Sequence, residues 1–201
     1  LRHHAAPSVC RNLRPPAHYR RAPDIADPGG YGHHQVAILQ APLLQAFVQG
    51  DHEIDLTNGS HRQFAAGLRN ANGMGWNPST GELWAVVNER DQLGPDLVPD
   101  YLTSVPVGAH YGWPWFYWGK TEDLRVYDKT PQYQVPEFLI NYVRKPEYAL
   151  GPHVAALGLS FANGGGRLGE AYANGAFIAR HGSWNRKPAA GYDVVFVRFD
   201  A

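Results

Sequence analysis

The first pattern along this chain is an alternation of polar and apolar residues that is broken by turn residues. Residues 53–56 alternate, Asn58 and Gly59 supply the positive φ angles of a tight turn, and residues 61–64 form the returning segment. Side chains that alternate with a period of two point to opposite faces of a strand. The pattern therefore predicts a β-hairpin.

Two further hairpins are predicted later in the chain. Residues 73–76 and 82–87 flank a loop of Asn, Pro, Ser, Thr and Gly. Residues 176–179 and 192–197 flank a polar loop that contains Gly and Pro. No segment keeps a helical period, so the sequence predicts an all-β fold, either a sandwich or a set of propeller blades.

Residues 1–50 have a different composition and are predicted to be a separate, irregular or disordered segment. They are rich in His, Arg and Pro and contain no Trp, whereas all six Trp lie from Trp76 onward. Residues 35–49 form the one apolar run there, and because Pro42 interrupts it, a short helix, kinked turns and a strand all stay open. The predicted domains are residues 1–50 and 51–201.

Overall composition excludes several classes of function. The 201 residues carry 18 Lys and Arg against 18 Asp and Glu, a balance that disfavours a polyanionic partner such as nucleic acid. No apolar run approaches the roughly 18 residues of a membrane helix, and the first residues show no signal-peptide pattern. The single Cys10 has no partner for an internal disulfide.

Two motifs give weak evidence for other chemistry. Residues 164–169 match the dinucleotide pattern G-x-G-x-x-G, but no helix follows to hold a pyrophosphate, so a surface loop is the better interpretation. The histidine pairs at 3–4 and 33–34 suit a borderline metal, but nothing supplies the i, i+4 helical spacing or a paired Cys ligand, so solvated or disordered histidines are the better interpretation.

More specific candidates precede and follow the second hairpin. Arg69 and Asn70 lie side by side between glycines, where their donors can face a planar ligand that bears carboxylates, or can cap the turn itself. Glu89, Arg90 and Asp91 end the strand at residues 82–87 with two carboxylates, which suits Ca²⁺ or an ion pair with Arg90.

Two other segments are candidates for a site. The aromatic residues between 111 and 118 suit either core packing or a wall against which a flat cofactor or a sugar stacks. Arg180, His181 and Arg186 lie in the loop between the last two strands, and loops on a rigid β scaffold often carry function.

Four segments together resemble one known family. They are GLRNANGMGWNPSTGELWAVVNERDQLG, PDYLTSVPVGAHYGWP, HVAALGLSF and GAFIARHGSWNRKPAAGYDVVFVRF. In this order they resemble the glucose/sorbosone dehydrogenases, most closely the sorbosone dehydrogenase-like branch, from about residue 53 to 199. The resemblance implies a partial six-bladed β-propeller of about three blades.

The resemblance also implies a cofactor and a reaction. Members of the family bind pyrroloquinoline quinone (PQQ) with Ca²⁺ and oxidise sugars or sugar aldehydes by hydride transfer to the quinone, typically in the bacterial periplasm. Arg69 and Asn70 match the pair that holds the quinone oxygens, and Arg180 with the adjoining His181 matches the position that pairs with a cofactor carboxylate. Glu89, Arg90 and Asp91 match the stretch that provides the Ca²⁺ ligands, with Arg-Asp in place of the family's Gly-Pro.

The resemblance assigns the catalytic histidine to an earlier blade, and none of the five histidines in residues 1–50 is assigned to that role. The chain is therefore expected to be a truncated or frame-disrupted member whose activity and electron acceptor are open, with a non-catalytic, ligand- or partner-binding propeller fragment as the alternative. Unpaired blade edges would favour self-association.

Overall fold

A computed structural model of the chain describes residues 36–40, 50–55, 57–129, 135, 137–162 and 166–199. The predicted histidine pairs, Cys10, and Gly164 with Gly165 lie outside the described residues, as do the predicted segment's residues 1–35 and 41–49. None of the helices among the described residues is long and apolar enough to cross a membrane.

Strands predominate among the regular elements of the described residues, which confirms the predicted all-β class. The strands are β1 Val36–Gln40, β2 Gly50–Asp55, β3 His61–Ala66, β4 Ala71–Trp76, β5 Leu83–Val87, β6 Pro99–Ser104, β7 Phe116–Tyr117, β8 Thr121–Glu122, β9 Tyr148–Pro152, β10 Ala156–Phe161, β11 Gly175–Arg180 and β12 Asp193–Arg198. One α-helix, α1 Leu124–Lys129, and the 3-10 turns Leu139–Asn141, Gly166–Leu168 and Glu170–Tyr172 complete the described elements.

All strand pairs within the sheets are antiparallel. The sheet orders are β1-β2-β3, β4-β5-β6-β9, β10-β11-β12 and the small pair β7-β8. Each of the three predicted hairpins is present, as β2-β3, β4-β5 and β11-β12. Val36–Gln40, where the sequence left three conformations open, is a strand paired with β2.

The turn of the first hairpin contains the predicted Asn58-Gly59 pair, but Gly59 alone of the two has a positive φ. Gly59 has a φ of 72°, and its N–H donates to the carbonyl of Asp55 at 2.8 Å. A left-handed φ at this position favours glycine because a Cβ would crowd the backbone. The Asn-Gly signal therefore predicted the place of the turn, although Asn58 does not take the positive φ expected of it.

Strand β5 forms the centre of the molecule because both of its faces are buried. Leu83, Ala85 and Val87 face one apolar cluster, which also contains Phe64 of β3. Trp84 and Val86 face another cluster that includes Ile178 and other residues of β10 and β11. Because alternate side chains of β5 point to opposite faces, the four-stranded sheet packs between the two three-stranded sheets.

Close backbone contact between the middle and the last sheet depends on a glycine. A Cβ at Gly73 of β4 would lie 2.7 Å from the backbone nitrogen of Leu159 and 2.9 Å from the carbonyl oxygen of Leu157. Both neighbours are backbone atoms of β10, which cannot move away as a side chain can. Only glycine therefore lets β4 and β10 approach this closely.

The glycine-rich segment that matches the dinucleotide pattern continues as a surface loop. Gly166–Leu168 and Glu170–Tyr172 are single 3-10 turns, and Arg167, Leu168 and Glu170 are exposed. A helix that could hold a pyrophosphate at its N-terminus does not follow in these described residues. This agrees with the surface-loop interpretation.

A buried carboxylate in β2 gives the fold a pH dependence. Asp51 has no exposed surface, and neither carboxylate oxygen has a hydrogen-bond partner among the described residues. Burial raises the pKa of Asp51 from 3.8 to about 6. The folded state therefore holds a proton that the unfolded chain releases, and the stability that this supplies is full below pH 3.8 and is lost as the pH rises through 6.

We expect Asp51→Asn to remove this loss. Relative to the wild type, the variant should gain roughly 1–3 kcal/mol of unfolding free energy between pH 4 and pH 8, since one pKa unit corresponds to 1.36 kcal/mol. Urea unfolding across that pH range measures the gain, with the exposed Glu122→Gln as control. A constant difference between Asp51→Asn and wild type at every pH would contradict the assignment.

Candidate functional site

Strand direction gathers the candidate residues at one end of the sheets. Arg69 and Asn70 precede β4, and Asn88 follows β5, its antiparallel neighbour. Asp100 begins β6, which pairs with β5, and His153 follows β9, which pairs with β6. The loop after β11 reaches the same end because Arg180 is opposite Ala156 at the start of β10.

A polar cavity of about 150 Å³ lies at this end. Its lining combines one guanidinium, three carboxylates, three carboxamides, an imidazole and an indole. The lining residues are Arg69, Asn70, Asn88, Glu89, Asp91, Asp100, His153, Ala155, Gly182, Trp184 and Asn185.

Asp100 holds two walls of the cavity together. Its buried carboxylate accepts the Glu89 N–H at 2.7 Å through one oxygen and the Ala155 N–H at 2.8 Å through the other. Burial raises the pKa of Asp100 to about 6, although the two backbone N–H groups lower it. The carboxylate thereby ties the end of β5 to the segment between β9 and β10.

The segment between β9 and β10 has an unusual backbone. His153 has a φ of 57° and Ala155 a φ of 51°, in the left-handed region that residues with a Cβ rarely adopt. This conformation delivers the Ala155 N–H to Asp100. Strain of this kind persists where surrounding contacts fix it, and it concentrates at functional sites.

The ring of His153 is fixed from both sides. Nε2 lies 2.9 Å from the carbonyl oxygen of Gly94, which can only accept, so this nitrogen carries a hydrogen. In the neutral ring, Nδ1 then accepts from the Asn185 amide at 3.3 Å. The same amide donates to Asp91 Oδ1 at 3.2 Å, and Asn185 thus links the histidine to the aspartate.

Arg69 crosses the base of the cavity and binds the end of β5. Its Nη1 donates to the carbonyl of Glu89 at 2.6 Å, and its Nη2 lies 3.4 Å from a carboxylate oxygen of Asp91. The neighbouring Asn70 accepts the Asn88 N–H at 2.9 Å with its backbone carbonyl. The side chain of Arg69 keeps 27% of its surface exposed, so part of the guanidinium faces the opening.

The three residues predicted as Ca²⁺ ligands separate in the structure. Asp91 lines the cavity with 41% of its side chain exposed. The carboxylate of Glu89 is buried and accepts the backbone N–H of Arg90 at 3.0 Å and its Nε at 3.1 Å. Within the described ranges, no three His, Cys, Asp or Glu residues are grouped closely enough to hold a metal ion.

The third of these residues, Arg90, is buried behind the cavity. Its guanidinium donates to the carbonyls of Pro114 and Phe116 and to Asp123 at 2.9 Å. Burial raises the pKa of Asp123, but hydrogen bonds from Arg125 and Arg90 outweigh it and hold that pKa at about 2. Arg90 therefore anchors the segment at residues 113–123, and its side chain does not line the cavity.

The aromatic stretch at 111–118 contributes to packing, which was one of its two interpretations. Tyr111, Trp115 and Phe116 are buried in apolar clusters. The ring of Trp113 lies 4.7 Å from the guanidinium of Arg90 and 5.7 Å from that of Arg69. The ring thus supports both arginines through cation–π contacts from outside the cavity lining.

Arg180 and His181, both predicted to contact the cofactor, do not line the cavity. The guanidinium of Arg180 donates to the two carboxylate oxygens of Asp193 at 2.7 and 2.5 Å and to the carbonyl of Leu150 at 2.8 Å. His181 is exposed, and its backbone N–H donates to Ala155. Their loop does reach the cavity, but through Gly182, Trp184 and Asn185.

Sequence reasoning missed Asp100, His153 and Asn185 as lining residues. Asp100 lies at the start of the second segment that carries the family resemblance, but nothing in its neighbours indicates that two distant N–H groups meet there. His153 begins a segment that carries the family resemblance, and Asn185 lies in the predicted loop. Their places in the resembling segments and in the predicted loop were the signals that the sequence offered. The strand register that brings these residues together appears only in the folded sheets.

A family model described as TrAA12-like matches residues 137–201, which include β9 to β12 and the loop with Trp184. An uncharacterised protein of Borreliella burgdorferi is 30% identical over 149 residues, which are 74% of this chain and 37% of that protein.

Two solved structures share the fold. A calcium structure of a Trichoderma reesei carbohydrate-active enzyme of family AA12 aligns with a TM-score of 0.61 and 20% identity, covering 82% of this chain and 50% of that one. The holo form of the pyranose dehydrogenase PQQ domain from Coprinopsis cinerea aligns with a TM-score of 0.60 and 20% identity, over 81% and 49%. This chain thus spans about half the length of the solved structures it matches. The family match and the shared fold confirm, over part of the chain, the predicted resemblance to PQQ-dependent sugar dehydrogenases.

We expect Asp100→Asn to destabilise the fold by about 1–3 kcal/mol, the cost of leaving a buried group without its partner. An asparagine can accept only one of the two N–H groups, and its own N–H₂ would face the other. Urea unfolding at neutral pH measures the change.

A matched control for this variant is Asp193→Asn. That carboxylate also makes two hydrogen bonds, but 44% of its side chain is exposed, so its loss should destabilise the fold less than Asp100→Asn does. Equal effects of the two substitutions would contradict a special role for Asp100.

Proposed function

We propose that this chain is part of a PQQ-dependent oxidoreductase of the glucose/sorbosone dehydrogenase type and that the cavity binds the quinone. In this proposal the three larger sheets are blades of a β-propeller, and the substrate is a sugar or a sugar aldehyde. The observation that carries the proposal is the convergence of Arg69, Asn70 and Asp91 on one cavity, which the loop at Gly182–Asn185 completes.

The chemistry of the cavity fits a planar anionic cofactor with a cation beside it. The guanidinium of Arg69, whose side chain is 27% exposed, offers N–H donors that suit quinone and carboxylate oxygens. The amide oxygen of Asn88 is buried and accepts no hydrogen bond from any described residue, so it can serve as an acceptor for a cation or for a donor on the ligand.

The negative charge of the lining supports a role for Ca²⁺. Glu89, Asp91 and Asp100 surround one lining cation, Arg69, so an anionic ligand would meet repulsion from Asp91 without a counter-ion. Asp91 and the amide oxygen of Asn88 provide the hard oxygen ligands that Ca²⁺ prefers. The described residues contain no group of three or more His, Cys, Asp or Glu that could hold a metal ion. Further Ca²⁺ ligands would therefore come from water or the cofactor.

The residues of this chain would bind and orient, and they would stabilise charge. PQQ, when bound, would accept the hydride from the sugar carbon. Arg69, fixed by the carbonyl of Glu89, would place positive charge against the quinone oxygens without reorganising. Asp100 would keep that carbonyl in position through the Glu89 N–H.

A non-catalytic ligand-binding fragment is the second candidate, and the state of His153 favours it. This imidazole of the lining donates from Nε2 to Gly94 and accepts from Asn185 at Nδ1. Neither nitrogen is free to take the proton of a sugar hydroxyl unless the contact with Asn185 opens. A fragment of this kind would bind PQQ or a partner without turnover.

The remaining parts of the proposal rest on the resemblance alone. They are a periplasmic location, a sorbosone-like aldehyde as substrate, and self-association through open sheet edges. The electron acceptor is open to assay with artificial dyes.

We expect PQQ to bind in the presence of Ca²⁺, and Arg69→Gln to weaken this binding at least about tenfold, the ordinary effect of losing one charge-assisted contact. Titration followed by PQQ absorbance measures the affinity. Arg62→Gln, which removes an exposed arginine paired with Glu53, serves as the control. Arg69→Lys tests whether the charge alone suffices.

Dye reduction with an aldose or sorbosone then separates the two candidates. Turnover supports the dehydrogenase, and binding without turnover supports the fragment. If PQQ with Ca²⁺ does not bind to the wild type, or binds equally well to Arg69→Gln, the assignment of the cavity is wrong.

A further inference from the structure

Trp184 is the most exposed large apolar side chain among the described residues, with 87% of its surface open to solvent. It lines the polar cavity, and among the described residues no aromatic ring packs against its indole. An indole that stays exposed to water does not gain the favourable free energy of burying its large apolar surface. The position of Trp184 therefore calls for a ligand.

The exposure of this indole does not come from a loose loop, since the residues on both sides are held. Gly182 donates its N–H to Val154 at 2.8 Å, and the buried Ser183 donates to Ala190 at 2.8 Å. The Ser183 hydroxyl accepts the Ala190 N–H at 2.9 Å. Asn185 is held by Asp91 and His153.

Close packing reinforces the turn before the indole. Gly182 has a φ of 107°, and a Cβ there would lie 2.5 Å from the ring of Tyr192. The Tyr192 hydroxyl donates to the carbonyl of Ser183 at 2.5 Å. The backbone thus presents Trp184 from a fixed position at the cavity.

The polar groups near the indole match the hydroxyls of a sugar. Asp91 keeps 41% of its side chain exposed and offers a carboxylate acceptor. Asn88 adds a buried amide oxygen that has no partner within the described part of the chain, and Asn185 adds an amide that already bridges two groups. A pyranose ring has one apolar C–H face, which stacks on an aromatic ring, and a rim of hydroxyls that need such acceptors and donors.

We propose that Trp184 is the stacking platform of a sugar subsite at this cavity, and that it selects cyclic aldoses over open-chain polyols. The inference deepens the proposed dehydrogenase function and rests on it for the fate of the sugar. The recognition step itself depends only on Trp184 and the polar groups beside it. It therefore has a readout apart from turnover.

The experiment uses the full chain labelled with ¹⁵N at the indole nitrogens of its six Trp, with Trp184→Phe to identify the resonance of Trp184. We expect D-glucose to shift this resonance saturably, with or without PQQ and Ca²⁺, and the acyclic D-glucitol to leave it unchanged. Trp184→Ala should raise the apparent Kd for glucose about tenfold.

Trp76→Ala is the matched control, because Trp76 is 50% exposed and does not line the cavity. It should bind glucose as the wild type does. The inference is overturned if glucose leaves the Trp184 resonance unchanged in both conditions, if glucitol binds equally well, or if only PQQ shifts the resonance. Failure of PQQ to bind while glucose still shifts Trp184 would reject the proposed cofactor and retain the subsite.

Discussion

The buried carboxylate of Asp100 is the interaction on which the cavity depends. Through its two oxygens it holds the Glu89 N–H after β5 and the Ala155 N–H before β10, which belong to neighbouring sheets. The first contact orients the carbonyl that receives Arg69, and the second stabilises a left-handed residue in the opposite wall. A single side chain thereby couples the middle sheet to the cavity.

A second buried charge supports this arrangement from behind. Arg90 binds Glu89, Asp123 and two backbone carbonyls, so the strand end that carries Glu89 cannot shift without breaking buried hydrogen bonds. Breaking such a pair leaves an uncompensated charge and costs several kcal/mol. The cavity is thus held by buried charges, and its open side is left to the exposed Asp91 and Trp184.

Sequence reasoning predicted the local parts of this molecule and missed the parts that depend on distant contacts. The hairpins followed from alternation and from Asn58-Gly59, both of which act within a few residues. Arg69, Asn70 and Asp91 were predicted near a ligand because they adjoin one hairpin. Asp100 and His153 were missed because their partners lie on other strands, and only the register between β5, β6 and β9 joins them.

Arg180 was predicted to contact the cofactor because its cross-strand partner could not be seen in the sequence. A cation in a loop beside the site looked suited to a cofactor carboxylate, but Asp193, opposite it on β12, accepts from its Nε and Nη2, and the carbonyl of Leu150 accepts from its Nη1. The cross-strand ion pair with Asp193 thus gives Arg180 a structural role in place of the predicted ligand-binding role. The neighbouring residues Trp184 and Asn185, which have no such cross-strand charge, face the cavity instead.

Amide hydrogen exchange in the presence and absence of PQQ with Ca²⁺ tests the central claim most directly, because it reports on both walls of the cavity at once. The account predicts that the amides of Glu89 and Ala155 exchange slowly without ligand, since Asp100 holds them, and that PQQ further protects the segments around Asn70, Asp91 and Asn185. Rapid exchange at Glu89 and Ala155, or ligand protection confined to segments away from the cavity, would contradict it.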